Sequence, residues 1–211
     1  MTDKQNSARP AGFPDAPPPL GTERYVLRAL SHDDADDIDR WLSDPSVSRN
    51  LSHVPHPYGA GMAHGWVSLQ AGFLHRGEGI HYAIADRLSG ELAGSIGVSR
   101  RDAVGRDWEF GYWVAPPIHN RGCATECGRG LVAFMADRFP GVRLHAGHFL
   151  DNPASGRVLE KIGFAAVSDA PVDQFSLARG EKAKSLRYVW PPEAASSAPL
   201  TPLQYDRTTA P

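Results

Sequence analysis

The octapeptide His119-Asn120-Arg121-Gly122-Cys123-Ala124-Thr125-Glu126 holds the residues most able to do chemistry in this chain. Glycine lets a backbone come close to a ligand, and the small Ala124 keeps the surface beside it low. If a helix begins here, its first N–H groups lack intrahelical partners and the helix dipole places positive charge among them. That combination binds phosphate, and Arg121 can add a charge-assisted contact. No Gly-Lys-Ser/Thr follows and G-x-G-x-x-G is absent, so neither a Walker A loop nor a dinucleotide fingerprint is present. The octapeptide alone reads equally well as a tight turn before a helix.

A second segment, Asp151 to Phe164, reads as a strongly capped helix. Asn152 or Asp151 caps it, Pro153 sits in its first turn, Val158 and Ile162 pack, and Gly163 ends it. Two histidines on the preceding strand, His145 and His148, lie three apart, face opposite sides and cannot chelate one metal together. No metal site is expected. Cys123, at a helix N-terminus, has the setting of an activated thiol.

The elements that must position these residues follow from periodicity. Residues 24–30 alternate as a strand. Ser31 with Asp34 opens a helix through Trp41. The stretch 45–60 is too rich in Pro and polar residues for a long element, and its His53 and His56 read first as surface histidines. A helix is expected over 61–76, a hairpin over 80–100 turning at Ser89-Gly90, and a strand over 108–114 stopped by Pro116-Pro117. Ala124, Cys127, Leu131, Phe134 and Met135 recur at helical spacing, which predicts a helix from Gly122 to about Arg138. Gly128 and Gly130 within it each cost about 1 kcal/mol relative to alanine. Strands at 142–150, 164–167 and 185–190 complete a mixed α/β layer protein.

With 211 residues, 41% hydrophobic, 22% charged and a net charge of −2, the chain has the composition of one globular domain. Near-neutral charge gives no electrostatic case for nucleic acid or membrane. No run approaches the roughly 18 apolar residues of a transmembrane helix, and the N-terminus has no apolar signal core. Cys123 and Cys127, four apart on one helix, are poorly placed for a disulfide. A cytoplasmic protein is expected. Prolines crowd residues 1–20 and 192–211, which read as flexible tails around a domain spanning 21–191.

Taken in order, the motifs resemble the GNAT acetyltransferase superfamily, in particular its RimJ/RimL-like ribosomal-protein N-acetyltransferase branch. The matching residues are Glu109, Gly111, Tyr112 and Trp113; then Gly122, Ala124, Thr125 and Glu126; then Asn152, Ser155, Glu160, Lys161, Gly163 and Phe164. His119 stands where the family usually has Gln or Arg, and Cys123 where it often has an aromatic residue. The resemblance implies an α/β acyl-CoA N-acyltransferase fold, with a central, twisted mixed sheet of about six to seven strands and about four helices. It also implies acetyl-CoA as co-substrate, lying in a splay between the strands that end near Val114 and Leu150. Trp113 and Val114 would meet its pantetheine. His119, Asn120, Arg121, Gly122, Cys123, Ala124 and Thr125 would form the pyrophosphate turn, with Asn152 and Ser155 beside the thiol end.

The implied chemistry is direct attack by a primary amine, with no acetyl-enzyme. Glu109 is the expected general base, acting through water, and otherwise a cross-strand partner for an Arg or Lys. Ser155 is the expected proton donor to the leaving thiolate, and otherwise a capping residue. The acceptor is expected to be a protein N-terminal amine. A small-molecule amine and a non-catalytic acyl-CoA-binding module are the alternatives, in a monomer or homodimer.

Overall fold

The strands arise where short alternating runs meet turn residues. They are β1 (Leu20–Gly21), β2 (Tyr25–Ala29), β3 (Gly79–Asp86), β4 (Leu92–Arg100), β5 (Asp107–Val114), β6 (Arg143–Phe149), β7 (Ala165–Ala166), β8 (Val172–Ser176) and β9 (Glu181–Trp190). The helices are α1 (Ala35–Leu42), α2 (Pro45–Ser48), α3 (Met62–Arg76), α4 (Cys123–Arg138) and α5 (Pro153–Ile162). This computed structural model describes residues 9–10, 12–102 and 104–197. Among them the strands form one sheet in the order β1-β2-β3-β4-β5-β6-β9-β7, with β8 also paired to β9. All neighbours are antiparallel except β5 and β6, which α4 joins as a parallel crossover.

The strand and helix counts exceed the six to seven strands and four helices expected. β1 and β7 have two residues each, too few to show alternation, and β8 is held by its pairing to β9 rather than by an apolar pattern. The four-residue α2 forms inside the stretch expected to be irregular. Asp44 caps it by accepting from the Ser46 N–H, and Pro45 occupies its first turn.

Ser31 and Asp34 make the anticipated capping box, and Arg28 grips the Asp34 carboxylate at 2.6 and 2.8 Å. Asp39, later in the same acidic run, caps a different helix. Its carboxylate accepts from the Gly61 and Ala63 N–H groups at the start of α3.

Two cores lie on opposite faces of the sheet. Trp108, Phe110, Leu144 and Tyr82 pack with Leu131 and Met135 of α4 and Leu159 of α5. Ala83 and Trp113 pack on the other face with Ile38 of α1 and Val67 of α3. Gly128 belongs to the first core. A Cβ there would fall 2.3 Å from Ile162 Cδ1, so the glycine that weakens α4 locally is what lets α5 close against it. Of the residues expected as an N-terminal tail, Phe13 is buried and stacks on Trp108 at 5.9 Å. Residues 1–8, 11 and 198–211 lie outside the described residues. No helix among the described residues is long and apolar enough to cross a membrane.

Candidate active site

β5 and β6 pair only over Asp107–Glu109 and Arg143–His145. Beyond that point β5 runs on to Val114 and β6 to Phe149 without pairing, so the sheet opens into a wedge. Hydrogen-bonding direction alternates along a strand. Arg101 donates its N–H to Asp107 O and Ala115 donates to Ala93 O, so the odd residues of β5 bond to β4. The backbone groups of Tyr112 and Val114 therefore face the wedge, and those of Trp113 face β4. On β6, Leu150 donates to Lys184 O on the β9 side, so Gly147 and Phe149 face the wedge. An extended amide-bearing chain can pair along both walls.

The wedge opens onto the N-terminus of α4. Gly122 there has φ +78°, a conformation natural only to glycine, and no side chain caps the helix. The first intrahelical bond among these residues is Glu126 N–H to Gly122 O. The N–H groups of Cys123, Ala124 and Thr125 precede it and match a phosphate in number and direction. Asn120 has φ +61°, which asparagine tolerates better than most residues. The Cys123 and Ala124 side chains point into the core, so they contribute backbone alone. A thiol buried to that degree is not placed to attack a thioester. Trp113 is likewise a core side chain.

Two side chains shape this turn in ways the octapeptide does not suggest. His119 folds back so that Nε2 lies 2.8 Å from Val114 O; a carbonyl only accepts, so Nε2 carries the proton. Arg24, 97 residues before Arg121, donates to Arg121 O at 2.8 Å and pairs with Glu126 at 2.7 Å. Burial would raise the Glu126 carboxyl, but hydrogen bonds from Arg24 and Thr22 outweigh it and hold the group below its ordinary range. The Thr-Glu step of the motif thus ties α4 to the start of β2.

At the other end, Asn152 caps α5 by accepting from Ser155 N–H at 3.3 Å. Ser155 Oγ lies 2.8 Å from Tyr112 Oη. Burial raises the Tyr112 hydroxyl to about 12, against the opposing effect of the Ser155 contact. Tyr112 is therefore protonated throughout the neutral range, and it had no assigned role before its partner across the wedge was visible.

Glu109 points to the opposite face. Both of its oxygens lie 2.8 Å from Arg187 Nη2, and Arg101 Nη1 is 3.3 Å away as an ion pair without hydrogen-bond geometry. Burial raises this carboxyl and the two guanidiniums oppose the rise. Protonating Glu109 would leave two confined cations without a counter-charge, so it is ionised at neutral pH. Gly97 and Gly111 are register partners beside it, and Gly147 lies beyond the wedge. Two of these glycines make room for side chains on that face, Gly97 for the His81 ring and Gly147 for Arg187. His53 and His56 remain on the loop between α2 and α3, where His56 Nδ1 lies 3.4 Å from Ser48 Oγ.

His81 roofs part of this face. Its Nε2 lies 3.1 Å from Ser99 Oγ, and its ring lies so close over Gly97 that a Cβ there would come within 2.4 Å. Burial lowers it to about 4. The unfolded chain therefore takes up a proton at higher pH than the fold does, so the stability contributed by neutral His81 is complete above about pH 6.5 and is lost as pH falls toward 4. Allowing for partial exposure, roughly 2–3 kcal/mol should vanish across that window. Urea unfolding at pH 7 and pH 4.5 checks this: His81→Gln should lose clearly less stability on acidification than the unsubstituted protein, and equal losses would refute it.

A wedge in a mixed sheet, with an uncapped helix N-terminus at its mouth and a capped helix at its far wall, suits a long ligand that carries both amides and phosphates. The family model described as an acetyltransferase (GNAT) domain matches residues 24–165. The chain belongs to the GNAT acetyltransferase family. It is 30% identical over 147 residues to the uncharacterized N-acetyltransferase YoaA of Bacillus subtilis, covering 70% of this chain and 82% of that protein. A GNAT-family acetyltransferase from Bacillus anthracis superposes with a TM-score of 0.71 at 18% identity, covering 83% of this chain and 99% of that one. RimL, a ribosomal L7/L12 alpha-N-protein acetyltransferase solved in complex with coenzyme A, gives a TM-score of 0.70 at 17% identity over 82% and 97% of the two chains. As a GNAT N-acetyltransferase the chain uses acetyl-CoA as co-substrate. The wedge walls and the α4 N-terminus fit it, with backbone at Tyr112, Val114 and Gly147 for an amide chain and at 122–125 for phosphate.

Proposed function

We propose that this acetyltransferase modifies a protein N-terminal α-amine by direct attack in a ternary complex. The observation that carries this reading is the state of Glu109. Burial raises the Glu109 carboxyl and two guanidiniums limit that rise, so it stays a weak base beside an amine. At pH 7, deprotonating an α-amine of pKa about 8 costs about 1.4 kcal/mol, whereas a lysine of about 10.4 costs about 4.6. A weak base acting through water suffices for the first and not for the second. The likeness to RimL, described as an alpha-N-protein acetyltransferase, supports the same acceptor. A cytoplasmic setting, in which Cys123 and Cys127 stay reduced, accompanies it.

Bound acetyl-CoA supplies the thioester carbon for attack and a sulfur on which negative charge develops. In this proposal Glu109 takes the amine proton through water, while Tyr112 Oη holds its proton toward the leaving sulfur and Ser155 Oγ orients it. Full transfer from a phenol near 12 to a thiol of about 8.5 would be uphill by roughly 5 kcal/mol, so Tyr112 acts as a hydrogen-bond donor to developing charge. A serine hydroxyl is a weaker acid still, which makes Ser155 a positioning residue. Asn152 holds the α5 N-terminus in place.

The test is thiol release from acetyl-CoA with three acceptor sets: peptides with a free N-terminus, Nα-blocked lysine peptides, and small primary amines. At pH 7 the neutral fraction of an α-amine exceeds that of lysine by roughly 200-fold. Turnover on free N-termini is expected to exceed that on blocked lysine peptides by about this factor. Turnover confined to small amines would refute the N-terminal reading.

A further inference from the structure

Glu109 leaves positive charge over. Arg187, with a side chain 3% exposed, and Arg101, at 18%, share this one carboxylate. The neighbouring carboxylates are committed elsewhere. Asp107 accepts from Arg143 at 2.8 and 2.5 Å and contacts His145 Nε2 at 2.6 Å. Asp102 Oδ1 takes the backbone N–H groups of Gly105, Arg106 and Asp107. Burial lowers His145, and with the two nearby guanidiniums it outweighs the Asp107 carboxylate that would raise it, which disfavours a further cation in the cluster.

Both arginines also have donors to spare. Arg101 Nη1 is buried without a hydrogen-bond partner, an arrangement that is costly unless something completes it. Arg187 uses Nη2 alone for Glu109; its Nη1 lies over Gly147, where a Cβ would approach within 2.6 Å. Arg187 lines a shallow, open cleft whose other walls include Asn50, Ser52, His148, Phe149 and Gln174. Phe149 is also the last residue of the β6 wall of the wedge. The cleft thus adjoins the place where the reacting amine must sit.

We propose that Arg187, with Arg101 behind it, forms a carboxylate-binding subsite, and that the acceptor carries an acidic side chain at its first or second residue. The surplus of one positive charge matches a carboxylate rather than a dianionic phosphate, and a guanidinium fork suits its planar oxygens. The inference deepens the α-amine reading and rests on it for the position of the acidic group.

The test uses two pairs of short amidated peptides, Asp against Asn at residue one and Ser-Asp against Ser-Asn at residues one and two. Binding is measured calorimetrically to the CoA-saturated protein, and turnover is measured with acetyl-CoA. At least one acidic peptide should bind and react tenfold or more better than its amide isostere, and Arg187→Gln should reduce that preference below twofold. If that variant does not fold, Arg187→Lys, which keeps a cation for Glu109 but lacks the second arm, should cut the preference at least threefold. Equal binding within both pairs, or an acidic preference unchanged in the variant, would overturn the subsite. An acidic preference in binding with no acetylation of any peptide would leave the subsite standing and defeat the α-amine reading instead.

Discussion

Glu109→Ala is expected to lower the stability of the domain by about 3–5 kcal/mol, the range found when one partner of a buried ion pair is removed. For a chain of this size that corresponds to a fall in Tm on the order of 10 °C. The cause is the pair of guanidiniums left behind. Arg187 at 3% exposure has little solvent to turn to, and Arg101 already has one orphaned nitrogen. Thermal and urea unfolding of the purified variant check the value. Glu109→Gln should fall between, because an amide oxygen still accepts one hydrogen bond but carries no charge. Unchanged stability in Glu109→Ala would mean that the pairing seen here does not hold the cluster together. Activity loss in these variants is interpretable as proton transfer only after the stability loss is subtracted.

Tyr112→Phe is expected to lower kcat about 100-fold, the scale of losing one donor aimed at developing charge. The KM for acetyl-CoA should change little, because in the proposed mechanism the hydroxyl would meet only the sulfur while backbone along the wedge and at α4 would hold the rest of the co-substrate. Ser155→Ala should cost less, roughly three- to tenfold, since it removes only the group that orients the Tyr112 hydroxyl across 2.8 Å. Stability should move by about 1 kcal/mol in either case. Steady-state kinetics with a free-N-terminus peptide separate the two residues. A larger loss in Ser155→Ala than in Tyr112→Phe would reverse their assigned roles.

Much of the frame was legible along the chain because it rests on local rules. Asn152, Pro153 and Gly163 bracket α5, Ser31 and Asp34 begin the α1 region, and the alternating 107–114 run is a strand, each for reasons contained within a few residues. The turn at Gly122 is legible for the same reason: a left-handed φ and an uncapped helix start need only the residues that make them. The family follows from the order of these local pieces. By contrast, β7 and β8 exist because β9 lies beside them, and Gly128 looks like a defect until Ile162 of α5 is seen against it.

What the sequence determined by itself, then, was where backbone groups would be left free, since helix starts, caps and strand alternation are set by near neighbours. Tertiary structure decided which side chains meet those groups and what charge state they take. Arg24 reaches the α4 turn from just before β2, Tyr112 finds Ser155 across the wedge, and Glu109 is enclosed by Arg101, just past the end of β4, and Arg187 of β9. Those contacts join residues 43 to 97 positions apart, except Arg101 with its near neighbour Glu109, and their effect depends on burial that no spacing encodes. The physical reason is range. Hydrogen bonding along a backbone is local, whereas the solvation and pairing of a charge depend on everything the fold packs around it.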